Sequence, residues 1–157
     1  MFDTILGLPL HPLVVHAVIV FMPLAALGAV LMAARRSWNL KYGWLVLICA
    51  FVATGSAFVA KESGEKLGSR MGFPPEHIEW GKRAPVVSAF LFVVLLILWL
   101  LDRREERRTA LGKVVAVVTV LAAVLVAFVA FQAGHTGATA AWKSTIDKTK
   151  VGTIPEP

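Results

Sequence analysis

The chain of 157 residues is 57% hydrophobic and only 17% charged, with a mean hydropathy of +0.73. Soluble domains carry roughly a quarter charged residues; here the charges sit in short clusters between long apolar runs, which excludes a water-soluble fold. A net charge of +6 would suggest nucleic acid in a soluble protein, but basic residues flanking apolar runs lie against anionic head groups, so the expected partner is the lipid bilayer and not nucleic acid.

The first apolar run extends from about Leu13 to Ala34 and stops at Arg35 and Arg36. It follows a segment, Met-Phe-Asp, that lacks the basic start of a secretory signal, so the run is expected to be retained as a span. The second run covers about Tyr42 to Ala60 and gives way to the polar, glycine-bearing stretch KESGEKLGSRMGFPPE, read as a longer loop. The third covers about Ala84 to Leu101 and ends at DRREERR, whose arginines are read as a solvated helical extension. The fourth covers about Val114 to Phe131. Each run is long enough for a hydrocarbon core of roughly 30 Å at 1.5 Å per residue, whereas barrel strands would alternate over segments of about ten residues. The fold class is therefore all-α: an antiparallel, up-down bundle of four transmembrane helices filling residues 1–142, with a polar tail at 143–157. Trp38, Trp44 and Trp99 fall near one side of this map and Trp80 and Trp142 near the other, the interfacial positions that indole rings favour.

Basic residues set the orientation. Arg35, Arg36 and Lys41 crowd the first connection and Arg103, Arg104, Arg107, Arg108 and Lys113 the third, while those of the opposite side spread over a long connection and a tail. The positive-inside rule then places both termini outside a plasma membrane. Pro12 suits a helix start; Pro23 and Pro85 interrupt the first and third spans and free the carbonyls of Ile19 and Gly81. The single cysteine, Cys49, lies in an apolar run and reads as a small buried hydrophobe.

All four histidines, His11, His16, His77 and His135, map to one side of the membrane. His16 lies about 7.5 Å deeper than His11 and roughly 140° around the helix from it, so the two cannot share one iron. Three readings follow. Neutral imidazoles from two helices could ligate a haem iron from opposite faces, with Gly134 and Gly137 around His135 making room for the flat ring. Three or four imidazoles, with Glu79, could instead hold copper or zinc, although no pair shows the i,i+4 spacing of two ligands on one helical face. Or the rings are interhelix hydrogen-bonding glue. Polar residues in spans are costly and tend to be functional, which favours the haem. No nucleophile elbow, HExxH, P-loop or dinucleotide fingerprint is present.

LPLHPLVVH at the first span, HIEWG before the third and GHTG after the fourth together resemble a bacterial family of predicted four-helix membrane proteins of unknown function, described as b-type cytochrome-like. Its pattern is roughly HPxxVHFP, a histidine followed by a glycine, then GHxGG. The resemblance covers nearly the whole chain and picks out His11, Pro12, His16, His77, Gly81, Gly134, His135 and Gly137. Ala17 and Val18 stand where the family has Phe-Pro, Ala138 replaces its last glycine and Trp142 stands where a tyrosine follows; the candidate ligands are intact and the packing around them differs. The resemblance implies haem b. The resulting expectation is an electron-transfer subunit with its site near the outer surface, His135 as first ligand and His16, taken as interior, ahead of His77 as second. It would serve a larger respiratory or redox complex, and the alternative is a non-redox accessory subunit of such a complex.

Overall fold

A computed structural model describes residues 4–72 and 74–149. A short hairpin, β1 (Thr4–Ile5) against β2 (Leu8–Pro9), turns on Leu6 and Gly7, both in the left-handed region. Four helices follow: α1 (Leu10–Ala34), α2 (Arg36–Met71), α3 (Pro75–Arg104) and α4 (Ala110–Lys148). Each is long and apolar enough to cross a membrane. α1 packs on α2 and α4, α3 packs on the same two, and α1 and α3 are diagonal with slight contact. The expected up-down bundle is the one observed.

The core is made of small residues. Ala25, Ala26 and Ala29 of α1, Ala50, Ala53 and Ala57 of α2 and Ala122 and Ala123 of α4 are buried around Met22, Leu91 and Leu95. Large apolar side chains point the other way: Leu24, Leu27, Phe51, Phe58, Phe90, Leu121 and Phe131 are exposed. Water would penalise that arrangement, but hydrocarbon does not, and small residues let helix backbones approach closely where lipid supplies no hydrophobic drive.

The helices outrun the apolar runs that announced them. The stretch after Ala60, expected as a loop, is the last three turns of α2, which stops at Gly72 with φ 71° and its N–H on the Gly68 carbonyl. Ion pairs from Lys61 to Glu62 (2.8 Å) and Glu65 (3.3 Å) lie along this extension. α4 likewise continues past residue 142 to Lys148.

At the opposite end the arginine-rich segment is exposed from Arg103 to Arg107, as a solvated extension would be, but only as far as Arg104 is it helical, and Arg108 departs from it. α3 ends at Arg104, and Arg108 turns back into the bundle. Its guanidinium donates to Asp102 Oδ1 (3.0 Å) and Oδ2 (2.5 Å), to the Met32 carbonyl (3.1 Å) and to that of Ala33. Asp102 is 1% exposed and also accepts from Asn39 Nδ2 at 2.8 Å. Arg36 donates to the carbonyls of Asp102 and Glu105. One buried carboxylate thus ties the ends of α1 and α3 to the start of α2 and the approach to α4, while Arg108 caps carbonyls at the end of α1 and Arg36 those at the end of α3.

Candidate functional site

The ends that carry the histidines are the start of α1, the end of α2, the start of α3 and the end of α4. His11 sits in the first turn of α1, and its Nδ1 lies 2.8 Å from the Ala60 carbonyl on α2. A carbonyl only accepts, so Nδ1 carries the hydrogen and Nε2 is the basic nitrogen of this neutral ring. His77, in the first turn of α3, has Nδ1 3.3 Å from Thr136 Oγ1 on α4. The Thr136 hydroxyl donates to the Gln132 carbonyl at 2.8 Å, so its oxygen is the acceptor for His77 and the tautomer is again Nδ1–H. The two rings meet across the diagonal of the bundle, with centroids 6.1 Å apart and planes at 76°.

Glycine makes the room. A Cβ on Gly64 of α2 would lie 2.8 Å from Cε1 and Nδ1 of His11, and one on Gly137 of α4 would lie 2.9 Å from Cε1 of His77. Both rings therefore rest on bare backbone. Beside them lies a small, mostly apolar cavity of about 80 Å³, open at the histidine end and closed toward the buried Met22. Lys61, Glu65 and Lys82 stand at the polar end, and Ala57, Ala60, Ala130 and Ala133 line the flanks.

The other two histidines do not join the pair. His16 was expected in the interior, but it is exposed on α1, with Nδ1 2.6 Å from the Pro12 carbonyl of its own helix. With His11 turned inward, the 140° offset turns His16 outward. His135 is exposed as well and stacks on Phe131 one turn earlier, with centroids 5.9 Å apart. Gly137, taken from the sequence as space beside His135, is instead the seat of His77, and Gly134 lines the cavity. Among the described residues no group of three or more His, Cys, Asp or Glu is gathered to hold a metal ion, so a site of three or four imidazoles is not assembled. Sequence reasoning missed Gly64 and Thr136; the signal for Gly64 was a small residue one turn past Ala60 in a stretch dismissed as loop.

The model of a family described as "Predicted membrane protein (DUF2231)" matches residues 7–150. The chain belongs to this family. Comparison with curated proteins and with solved structures gives no match. In this DUF2231 protein the matched region takes in all four helices, both paired histidines and the glycines behind them.

Proposed function

We propose that this membrane protein is a haem b-binding electron-transfer subunit in which His11 and His77 would hold the iron. The observation that carries the reading is the pair itself. Two imidazoles holding one metal from opposite sides, with each nitrogen at about 2 Å, have ring centres roughly 6 Å apart, and these stand at 6.1 Å. Each ring has its Nδ1 against a neighbouring helix, at the Ala60 carbonyl and the Thr136 hydroxyl, which resembles the outer-shell support typical of metal-ligating histidine. The ligands come from diagonal helices, while the flanks where a flat macrocycle needs width belong to α2 and α4 and carry Ala57, Ala60, Ala130, Ala133 and Gly134. Lys61 and Lys82 at the mouth suit acidic substituents on such a ring. Bound there, a haem would supply one-electron redox chemistry; the chain would position it and exclude water from its apolar edge. A small bundle with a large apolar perimeter suits a place in a larger respiratory or redox complex of the plasma membrane.

The test is a reduced-minus-oxidised absorption spectrum of the purified protein in detergent, followed by four alanine variants. His11→Ala and His77→Ala should each abolish haem retention, and His16→Ala and His135→Ala should leave it within twofold of the parent. A colourless parent protein after haem supplementation during expression defeats the reading.

The accessory-subunit reading has one observation in its favour: His11 bridges α1 to α2 and His77 bridges α3 to α4, which is what imidazole glue does. It predicts a colourless protein whose His11 and His77 variants melt at lower temperature.

A further inference from the structure

α4 packs on α1 and α3, and the face it turns away from them is apolar for longer than a membrane requires. Leu121, Val124, Phe128 and Phe131 lie on that face, each more than half exposed, and lipid covers them. Phe131 marks the boundary: His77 meets Thr136, so Lys82 and Arg83, about a turn and a half deeper on the antiparallel α3, stand level with it. Above it the row continues at His135, Ala138 and Trp142, with Ile146 beside its end. Trp142 lies about 16 Å past Phe131 at 1.5 Å per residue, whereas head groups add only about 5–8 Å to each side of the hydrocarbon. Trp142 and Ile146 are each 62% exposed, on a segment in which every residue from Ala138 to Lys148 is exposed.

α2 provides the comparison. Its lipid-facing row of Ile48, Phe51 and Phe58 is equally apolar, but above Ala60 the same row carries Glu62, Glu65 and Ser69. A helix face turns polar in this way when it passes from hydrocarbon into water. α4 makes no such change, and lipid does not reach its upper end.

The spacing of the row says what fits it. Leu121, Phe128, His135 and Trp142 recur every seven residues, with Val124, Phe131 and Ala138 between them, the a and d positions of a parallel coiled coil. A partner must cross the bilayer beside α4 and rise above it to the same height, and α4 of a second copy does both. We infer that the protein is a dimer about a two-fold axis normal to the membrane, in which the outward faces of two α4 helices pair in parallel. The exposed parts of the aromatic and aliphatic side chains in the row offer on the order of 600–800 Å² per copy. A stable interface buries roughly 800 Å² per partner. His135 faces its counterpart across the axis, a polar layer of the kind that fixes register in such coils. The pairing stands apart from haem binding, because His11 and His77 face the interior of each bundle.

The experiment uses the full chain with Cys49→Ser, reconstituted at low density in phospholipid vesicles. One cysteine is placed on the row by Ala138→Cys, or off it by Ala140→Cys, about 200° round the helix. Both alanines are exposed, so neither change disturbs the packing of the bundle. A disulfide needs Cβ atoms about 4 Å apart, so under mild oxidation Ala138→Cys should give a linked dimer at least about tenfold faster than Ala140→Cys. Adding Trp142→Glu, a change to an exposed side chain, should bring the Ala138→Cys rate down to that of Ala140→Cys. Equal rates at the two positions mean random collision and overturn the inference. An Ala138→Cys thiol that forms no disulfide overturns it too. If that thiol reacts freely with a water-soluble maleimide, the helix end stands alone; if it is shielded, the end lies down on head groups.

Discussion

His11 and His77 hold their places through what stands behind them. In a span, an imidazole pressed against a neighbouring helix needs that helix to lack a side chain, and Gly64 and Gly137 provide the gap. Gly64→Ala would put a methyl 2.8 Å from the His11 ring; the ring must move, and its bond to the Ala60 carbonyl, worth about 0.5–1.5 kcal/mol, is lost. Gly137→Ala does the same to His77. Each variant should insert normally yet bind haem about 10- to 100-fold more weakly, the usual effect of disturbing the outer shell of a ligand, as read by haem titration of the apoprotein. Thr136→Val removes one hydrogen-bond partner of the His77 ring without crowding it and should act in the same direction. If these variants bind haem like the parent, the rings are not ligands.

At the scale of the element, the ends of the helices carry the information that the apolar runs lack. Hydropathy finds where a chain crosses hydrocarbon, so all four spans and their antiparallel order were legible; it is silent on where a helix stops. The three turns of α2 beyond Ala60 were hidden because Gly64 and Gly68 read as breakers, when Gly64 is the seat of a ring and the end comes only at Gly72. The histidine pair was half legible: helical phase said that only one of His11 and His16 could face in, but the choice depends on α2, which no local pattern in α1 encodes. Arg108 was invisible for a related reason, since its partner Asp102 is one of ten acidic residues and only the fold shows it buried. That burial makes a prediction. Asp102→Ala leaves the Arg108 guanidinium without its carboxylate and should destabilise the bundle by about 3–5 kcal/mol, the range for breaking a buried pair on one side. Replacing both, Asp102→Leu with Arg108→Met, should cost less than the single change, because no uncompensated charge remains. Thermal unfolding in detergent compares the two; a double variant less stable than Asp102→Ala would assign the effect to the α1 carbonyls that Arg108 caps.

For the whole molecule, the two ends of the bundle differ in how charge is packed. At the arginine end Arg35 alone separates α1 from α2, and residues 105–109 separate α3 from α4, so its basic residues lie in the short connections that the positive-inside rule weighs most heavily. At the histidine end the lysines and arginines are spread along helices that run on into water, and two of them, Lys61 and Arg83, are paired with Glu62, Glu65 and Glu79. Arg36 and Arg108 are drawn into the Asp102 cluster, yet Arg35, Arg103, Arg104 and Arg107 stay exposed there to meet anionic head groups. The arginine end should therefore face the cytoplasm, with both termini and the His11–His77 pair toward the outside. Single cysteines test this in a Cys49→Ser background, which removes the only native thiol. Lys143→Cys on the projecting end of α4 should react with a membrane-impermeant maleimide on intact cells, and Arg104→Cys only after permeabilisation. The reverse pattern would put the histidine pair on the cytoplasmic side, and any redox partner in water would then have to meet it there.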